Sequence, residues 1–255
     1  MERTTYPRTQ KTSTGTSTGI SAGTPAEASA PASRPRRAGT PRRVVLVTGT
    51  GSGIGRASAR AFAAEGALVV AVGRRAAPLE ETAAGEWERE AGGAIEPYAA
   101  DITADGAPER IVRHTADTYG RLDVLVNNAG IVGAGTLGTY TGELLAPLLA
   151  TNLVAPVLLA QEAVPHLERT GGVLVNITTS LGQRGRPGNS VYAATKAGLE
   201  LLTRSWAVEL APRGVRVVAI APGAIETPIA EHRGLTPAQR TAVREWQIAH
   251  TPMGR

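Results

Sequence analysis

The stretch that decides the fold is Thr48-Gly49-Thr50-Gly51-Ser52-Gly53-Ile54-Gly55, which directly follows the short apolar run Val44 to Val47. Glycines at such a point let the backbone turn tightly and approach a phosphate group closely. The free amides at the start of the helix predicted to follow would attract that negative charge. Because the motif lies between a first strand and a first helix, it predicts a dinucleotide-binding loop rather than a purely structural turn.

From Val44 onward, short apolar runs alternate with longer helical segments. Continuous apolar strands separated by helices are typical of a parallel sheet that is covered on both faces. The sequence therefore predicts one α/β domain of the Rossmann type, a doubly wound parallel sheet of six strands with helices on both faces. The predicted strands are 44–47, 67–72, 94–99, 122–126, 173–177 and 215–220. The predicted helices are 54–65, 77–91, 107–119, 141–168 (continuous or broken) and 191–211.

Composition narrows the classes of protein. The 255 residues are 42% hydrophobic, which is enough for one domain with a buried core. The absence of cysteine excludes disulfide scaffolds, thiolate nucleophiles and iron-sulfur sites, and the four histidines form no spaced ligand pair, so no metal site is expected. We find neither a secretory signal nor an apolar run of membrane-spanning length, so we expect a cytoplasmic protein without a membrane partner.

The positive charge is concentrated at the N-terminus. Residues 1–43 carry eight basic and two acidic side chains, whereas the rest of the chain carries 19 and 20. This segment is rich in Thr, Ser, Pro and Gly, so we predict a disordered basic tail over 1–43 and a folded domain over 44–255. A transit peptide or a basic arm that contacts polyanions is the alternative for the tail. The body has no basic excess, and no nucleic-acid partner is expected.

Cofactor choice is predicted by the end of the second strand, Val70-Ala71-Val72-Gly73-Arg74-Arg75. An acidic residue there would bind the ribose hydroxyls of NAD and repel a 2′-phosphate. Here Gly73 is followed by two guanidinium groups, which together suit a phosphate. The stretch favours NADP(H) over NAD(H). The alternative is that Arg74 and Arg75 are only solvated loop charges.

A second motif, Tyr192-Ala193-Ala194-Thr195-Lys196, carries the candidate chemistry. Residues four apart share a helix face, so the ammonium would lie beside the phenol and favour its ionised form. Lys196 is the only lysine of residues 44–255, which indicates that a compact ammonium is needed there. A tyrosine in this setting can donate a proton. The alternative, an exposed Tyr and Lys on one helix face, accounts less well for the upstream glycine-rich loop.

These motifs together resemble the short-chain dehydrogenase/reductase family over essentially all of 44–255. Three further segments fit the family pattern: Asp101-Ile102, Asn127-Asn128-Ala129-Gly130, and Pro222-Gly223-Ala224-Ile225-Glu226-Thr227. The resemblance implies contacts to a nicotinamide cofactor, with Asp101 at the adenine and the Pro222 segment at the nicotinamide. The implied cofactor-binding residues are Gly49, Gly51, Ser52, Gly53, Ile54, Gly55, Arg74, Arg75, Asp101, Ile102, Asn128, Ala129, Gly130, Tyr192, Lys196, Pro222, Gly223, Ile225 and Thr227.

The resemblance also implies hydride transfer between the nicotinamide and a carbonyl or secondary alcohol, with Tyr192 as general acid/base. Lys196 would hold the nicotinamide ribose, and Asn152 would hold a water in a proton relay. The family's catalytic serine lies thirteen residues before the tyrosine, where this chain has Thr179. We predict that the Thr179 hydroxyl replaces it, and Ser180 is the open alternative.

The end of the chain departs from the family. Members similar to it continue past a segment like Pro252 to Arg255 with another helix and a seventh strand, so we expect a domain truncated at its C-terminus. A non-catalytic NADP(H)-binding sensor or scaffold, or an inactive truncated member, is therefore the alternative function. With a complete C-terminus we expect a homodimer or homotetramer. The general likeness is to 3-oxoacyl carrier-protein reductases and sugar dehydrogenases, and the substrate is expected to be a small carbonyl or alcohol compound.

Overall fold

A computed structural model describes residues 41–85, 92–133, 135–180, 188–229, 236–249 and 251. One compact unit spans Arg37–Arg255, and the description below concerns that unit. Residues 1–40 of the predicted tail lie outside the described residues.

The strands form one parallel sheet in the order β3-β2-β1-β4-β5-β6. This arrangement confirms the predicted doubly wound sheet. The bounds of β3 and β5 agree with the prediction, and those of the other strands differ by at most two residues at either end. The strands are β1 (Val44–Thr48), β2 (Leu68–Gly73), β3 (Ala94–Ala99), β4 (Val124–Asn127), β5 (Val173–Ile177) and β6 (Arg216–Ile220).

Helices cover both faces of the sheet. They are α1 (Gly53–Ala64), α2 (Ala76–Ala83), α3 (Ala107–Tyr119), α4 (Gly142–Leu149), α5 (Ala155–Thr170), α6 (Ser190–Leu210) and α7 (Pro237–Ala249). A π-helical turn, Ala150–Val154, joins α4 to α5 and accounts for the irregularity allowed for in the sequence. The prediction for α2 ran to residue 91, but Ala84 is extended and ends the helix, and 86–91 lie outside the described residues.

The alternation of side chains along β1 shows why its sequence is continuously apolar. Val45 and Val47 belong to a core cluster with Ala59 and Ala63 of α1. Leu46, between them, belongs to the opposite cluster, which includes residues of α3, α5 and α6. Because successive residues of a strand face opposite ways and both faces are covered, every position is buried.

The stretch Gly142–Thr170 corrects one expectation. It is 29 residues long and contains an 18-residue window with a mean hydropathy of 1.7, so by length and composition alone it could cross a membrane. The sequence prediction missed it because Thr151 and Asn152 interrupt the apolar run without ending the helix. Leu159 and Leu167 of this stretch lie in the core against the sheet, and a core helix passes the same test. The expected lack of a membrane partner stays a prediction.

The strand order reverses between β1 and β4. From β1 the chain winds outward through β2 and β3, and from β4 it winds the other way through β5 and β6. In open α/β sheets a reversal of this kind leaves a crevice at the carboxyl ends of the strands, where ligands bind.

Candidate active site

A cleft of about 700 Å³ opens where the strands end. Every cofactor residue predicted from the sequence lines it, and so do Thr179, Tyr192 and Lys196. Asn152 is the exception, because it lies behind the lining. The structure thus brings together segments that are up to 178 residues apart in the chain, from Gly49 to Thr227.

The glycine-rich loop follows β1 and needs its glycines for close packing. Gly49 has φ of +72°, and a Cβ at this position would lie 2.7 Å from the Cα of Ala129. A Cβ on Gly55 would collide with the carbonyl of Gly49. Ser52 does not cap α1 with its side chain, and the first turn of α1 holds no acidic residue. The amides at this end of α1 can therefore bind an anion without competition from the Ser52 side chain or from a carboxylate in the first turn.

Hydrogen bonds join the glycine-rich loop to the segment after β4. The Thr48 hydroxyl accepts from the backbone N–H groups of Asn128 (3.1 Å) and Ala129 (3.0 Å). In return, the Asn128 side-chain amide donates to the Thr48 carbonyl at 2.7 Å and to the Gly49 carbonyl at 3.2 Å. The two segments that flank the strand-order reversal are therefore held as one surface, which fits a dinucleotide laid across both.

The end of β2 carries the residues that the sequence predicts to bind a cofactor phosphate. Gly73, Arg74 and Arg75 all line the cleft, and Arg75 is the N-cap of α2. Across from them, Asp101 accepts hydrogen bonds from the Thr103 hydroxyl (2.7 Å) and backbone N–H (2.9 Å). These bonds, with a smaller contribution from the charge of Arg74, hold the pKa of the Asp101 carboxyl below its usual range. Asp101 is thus an ionised acceptor at neutral pH.

Tyr192 and Lys196 lie near the start of α6, and both side chains are buried and line the cleft. The Lys196 ammonium donates to the Ile177 carbonyl at the end of β5, at 2.8 Å. Burial lowers the pKa of Lys196 to about 8. The predicted pair is thus in the crevice at the carboxyl ends of the strands, beside the glycine-rich loop.

Asn152 is fully buried in the π-helical turn between α4 and α5. Its side chain accepts from the Ile131 N–H and donates to the Ile131 carbonyl, both at 2.9 Å, and it also donates to the Thr195 hydroxyl at 3.2 Å. Asn152 Oδ1 and Lys196 Nζ both lie next to Gly130, 3.3 and 3.4 Å from where its Cβ would be. The side chain of Asn152 therefore anchors the segment after β4 directly behind the lysine.

The choice between Thr179 and Ser180 has a geometric answer. The strand β5 ends at Ile177, and both Thr178 and Thr179 line the cleft. Thr179 is buried, whereas Ser180 is exposed and is not among the lining residues that the structure describes. The backbone N–H of Ser180 donates to the Pro222 carbonyl at 3.1 Å, which holds this turn. Of the two candidate residues, Thr179 is thus the one that lines the cleft together with Tyr192.

The Tyr140 hydroxyl connects the loop between β4 and α4 to the start of α6. Tyr140 Oη donates to the Gly135 carbonyl at 2.7 Å and lies 2.9 Å from Ser190 Oγ. Gly135 also forms a parallel bridge with Asn189, just before α6. A Cβ on Gly135 would collide with the Tyr140 ring, so the glycine makes room for this contact.

With this geometry established, the sequence was compared with known proteins. The profile of the short chain dehydrogenase family matches residues 43–237. The chain belongs to the short-chain dehydrogenase/reductase family. It is 37% identical over 217 residues to the 3-oxoacyl-[acyl-carrier-protein] reductase of Thermotoga maritima, covering 84% of each chain. It is 38% identical over 205 residues to the 2-(R)-hydroxypropyl-CoM dehydrogenase of Xanthobacter autotrophicus, covering 79% of this chain and 82% of the relative.

A solved short-chain dehydrogenase from Sphingobium yanoikuyae, in complex with NADPH, superposes with a TM-score of 0.70 at 34% identity, covering 77% of each chain. As a short-chain dehydrogenase/reductase, the protein is an oxidoreductase that uses a nicotinamide cofactor and acts on alcohol or carbonyl groups of small molecules. The resemblance read from the motifs is confirmed at the level of the family.

The prediction from the motifs of the short-chain dehydrogenase/reductase family did not include every residue that lines the cleft. The additional lining residues carry no motif of their own, because they reach the cleft through the path of α4 and the strand ends. An apolar residue late in α4 or after the Pro222 segment gives no chemical signal in the sequence. These residues are Pro78, Ala100, Thr103, Ile131, Ala146, Pro147, Ala150, Thr151, Ile177, Thr178 and Ile229.

Proposed function

We propose that the protein is an NADP(H)-dependent oxidoreductase that interconverts a carbonyl compound and its secondary alcohol, with Tyr192 as the general acid/base. The observation that carries this proposal is the placement of Tyr192 and Lys196 in the cleft that the glycine-rich loop lines. The cofactor, when bound, supplies or accepts the hydride. The protein's own residues have to orient the reactants and move one proton.

In the reductive direction, Tyr192 donates its hydroxyl proton to the carbonyl oxygen. The Thr179 hydroxyl donates a hydrogen bond to the same oxygen and stabilises the negative charge that develops there. Both side chains are buried, with 9% and 7% of their surface exposed. A hydrogen bond in such a water-poor site stabilises developing charge more strongly than one in water does.

Lys196 and Asn152 support the proton transfer. The Lys196 ammonium beside the phenol favours the phenolate that remains after donation. It is well placed to hold a ribose hydroxyl of the cofactor as well, because it reaches the end of β5. Asn152 fixes the segment after β4 through Ile131. The irregular backbone of the π-helical turn around Asn152 would hold the water that returns the proton.

A preference for NADP(H) over NAD(H) rests on the end of β2. Arg74 and Arg75 line the cleft, and the position where a carboxylate would repel a 2′-phosphate is Gly73. A side chain at Gly73 would have to displace Leu79, whose Cδ2 lies 3.1 Å from the Cβ position. Asp101 would accept a hydrogen bond from the adenine amino group. The solved relative with bound NADPH supports the same choice.

The variant Tyr192→Phe tests the proposed reaction. It removes the proton donor but keeps the ring, so we expect kcat to fall by about 10²–10⁴-fold, while NADPH binding, followed by cofactor fluorescence, stays within about twofold of wild type. Turnover is followed as NADPH oxidation with a panel of 3-oxoacyl thioesters, ketosugars and simple diketones. Wild-type turnover in Tyr192→Phe refutes the role of Tyr192. NADPH binding by the wild type without turnover of any ketone favours the non-catalytic sensor or scaffold.

The double variant Arg74→Ala, Arg75→Ala tests the cofactor preference. Loss of the guanidinium groups should weaken NADPH binding by about tenfold or more and leave NADH binding unchanged. Arg113→Ala, which removes a surface ion pair with Glu109 on α3, is the control. A wild-type protein that binds NADH as tightly as NADPH contradicts the proposal.

We also propose that the protein works as a homodimer or homotetramer. Large apolar side chains are exposed along the continuous stretch from α4 to α5 and along α6, and isolated soluble chains seldom expose many of these in neighbouring elements. They are Leu144, Leu149, Val154, Leu158, Leu201 and Val208.

A further inference from the structure

We infer that Arg56 is a positioning residue for the cofactor, because it fixes the glycine-rich loop against α2. Arg56 lies in α1, one residue after the last glycine of the loop. Its Nη2 donates to the Gly51 carbonyl at 2.6 Å and to the Pro78 carbonyl at 3.2 Å. Its Nε donates to the Thr82 hydroxyl at 3.1 Å. One guanidinium thus contacts the loop and two turns of α2 at once.

The bond to Gly51 decides how the loop presents its backbone. The Gly51–Ser52 peptide is trans, so the Gly51 carbonyl and the Ser52 N–H point in opposite directions. Because the carbonyl is held by Arg56, the N–H of Ser52 is directed away from the guanidinium. Gly51 and Ser52 both line the cleft, whereas Arg56 is not among the lining residues of the described chain. Arg56 therefore acts on a cofactor through the loop and not by touching it.

Thr82 provides a second connection between α2 and the loop. It is fully buried, and its hydroxyl lies 2.8 Å from the Thr50 carbonyl and 2.8 Å from the Pro78 carbonyl. It also accepts the hydrogen bond from Arg56. Since Arg75 is the N-cap of α2, the loop and the arginine pair after β2 are parts of one hydrogen-bonded unit.

The charge of Arg56 is largely neutralised within this unit. Glu81 Oε2 accepts from Arg56 Nη2 at 3.0 Å, and the Arg56 side chain is 27% exposed. The Nε and Nη2 groups of Arg56 are thus engaged by two carbonyls, a hydroxyl and a carboxylate, and Arg56 is not among the described lining residues of the cleft. Its bonds are those of a structural brace for the loop.

Arg60 offers a matched control, because it lies one helical turn further along α1. It donates to the carbonyls of Thr82 (3.2 Å) and Glu81 (2.5 Å), so it also joins α1 to α2. It has no contact with the glycine-rich loop among its described hydrogen bonds. Any effect that comes only from joining the two helices should appear in variants of both arginines.

The test measures the binding of NADPH and of NADH, by cofactor fluorescence, to Arg56→Met, Arg56→Lys, Thr82→Val and Arg60→Met. We expect Arg56→Met to weaken both cofactors by about tenfold, because the loop would serve the part that they share. Arg56→Lys, which can keep the bond to Gly51 but not the whole set, should recover part of the loss. Thr82→Val keeps the charge of Arg56 and should still weaken both cofactors. Arg60→Met should lower the melting temperature as much as Arg56→Met and leave both affinities unchanged.

Three results would overturn the inference. They are unchanged affinities in Arg56→Met, a loss confined to NADPH, or an equal loss in Arg60→Met. The inference rests on the proposed cofactor site but not on turnover. If Tyr192→Phe were fully active, the proposed mechanism would fail while the binding data on Arg56 would stand. If Arg56→Met bound NADPH and NADH as tightly as the wild type does, the inference would fail, while NADPH binding by the wild type would still support the proposed function.

Discussion

At residue 179 a threonine hydroxyl lies in the cleft where members of the family are expected to present a serine. The isosteric variant Thr179→Val keeps the volume and the β-branch but removes the hydrogen-bond donor. We expect kcat to fall by about 10²–10³-fold, the usual effect of losing one donor to a developing oxyanion, while NADPH affinity is retained. Thr179→Ser, unlike Thr179→Val, should retain turnover, since serine keeps the hydroxyl.

Ser180→Ala is the matched control for this prediction, because Ser180 is exposed and is not among the described lining residues of the cleft. Its kcat should stay within about twofold of wild type. Loss of turnover in Ser180→Ala together with normal turnover in Thr179→Val would assign the role to Ser180. From the sequence alone both remained possible, because the end of β5 at Ile177 decides which hydroxyl faces inward.

Lys196 predicts a dependence of stability on pH. Burial lowers the pKa of its ammonium from 10.5 to about 8. Below about pH 8 Lys196 is protonated in both the folded and the unfolded chain, and the buried charge destabilises the folded state. Between pH 8 and 10.5 only the unfolded chain keeps it, so the free energy of unfolding rises with pH by about 1.4 kcal/mol per unit, and by about 3 kcal/mol in total.

Urea unfolding of the cofactor-free protein between about pH 7 and 9.5 checks this, with Lys196→Met as the comparison. The upper limit is set by Tyr119, which also contributes to the pH dependence of stability at higher pH. Burial and its hydrogen bond to Glu96 raise the pKa of Tyr119. The wild type should gain stability relative to Lys196→Met over this range. Parallel pH profiles for the two proteins would show that Lys196 titrates normally in the fold.

At the level of elements, a buried polar chain connects β4, β5 and α6. Asn127 donates to the Asn176 side-chain oxygen at 2.9 Å, and Asn176 donates to the Thr203 hydroxyl, also at 2.9 Å. The Thr203 hydroxyl in turn donates to the Leu199 carbonyl at 2.8 Å. Asn176 is fully buried, so its amide has no access to water if Thr203 is removed. This chain fixes the helix that carries Tyr192 to the centre of the sheet.

Thr203→Val should therefore lower the free energy of unfolding by about 1–3 kcal/mol, the cost of one unsatisfied buried donor. Thr115→Val is the control: Thr115 is also buried, but within the described part of the chain its hydroxyl bonds to the Ile111 carbonyl of its own helix and to no other element. That substitution leaves no buried donor without an acceptor, so it should change the free energy of unfolding by less than about 0.5 kcal/mol. Equal losses in urea unfolding of the two variants would mean that the Asn176 amide finds another partner.

The strands are the elements that the sequence predicted best, because short, mostly apolar runs mark them. The bounds of β5 follow from the apolar run that starts at Val173, whereas β3 was predicted correctly although Glu96 interrupts it and none of its positions is fully buried. In contrast, α7 was not predicted, because Pro237–Ala249 is a mostly exposed helix with no buried position among its described residues to mark its period. The sequence allowed for a break within 141–168 but not for its π-helical form at Asn152, whose side chain bonds to Ile131 in another segment.

On the scale of the whole molecule, β1 and β4 bring the glycine-rich loop and the segment after β4 together. The motif residues could be predicted because each belongs to a strand end, and parallel strands end at one edge. The lining contributed by Ala146, Pro147 and Ala150 could not, because it requires the path of α4 over the cleft. The cofactor part of the cleft is therefore encoded in motifs, whereas the rest follows from tertiary packing.

The surface of the molecule predicts its assembly state. Val208 of α6 is 77% exposed and Leu158 of α5 is 41% exposed, which is costly for apolar side chains in an isolated chain. If these helices pack against a second copy, Val208→Asp with Leu158→Asp buries charges at the contact and should shift the protein to the 26.3 kDa monomer. Sedimentation equilibrium over a range of concentrations measures this, because association depends on concentration.

Leu137→Asp separates assembly from a general effect of added charge. Leu137 is 98% exposed in the loop between β4 and α4 and belongs to neither of the two helices, α5 and α6, that carry the double substitution. This variant should keep the wild-type mass, since a charge there stays in water. A wild-type protein that sediments as a monomer at every concentration would show that the exposed side chains of α5 and α6 do not join copies of this chain. The cleft, formed within one chain, would then have to bind cofactor as a monomer.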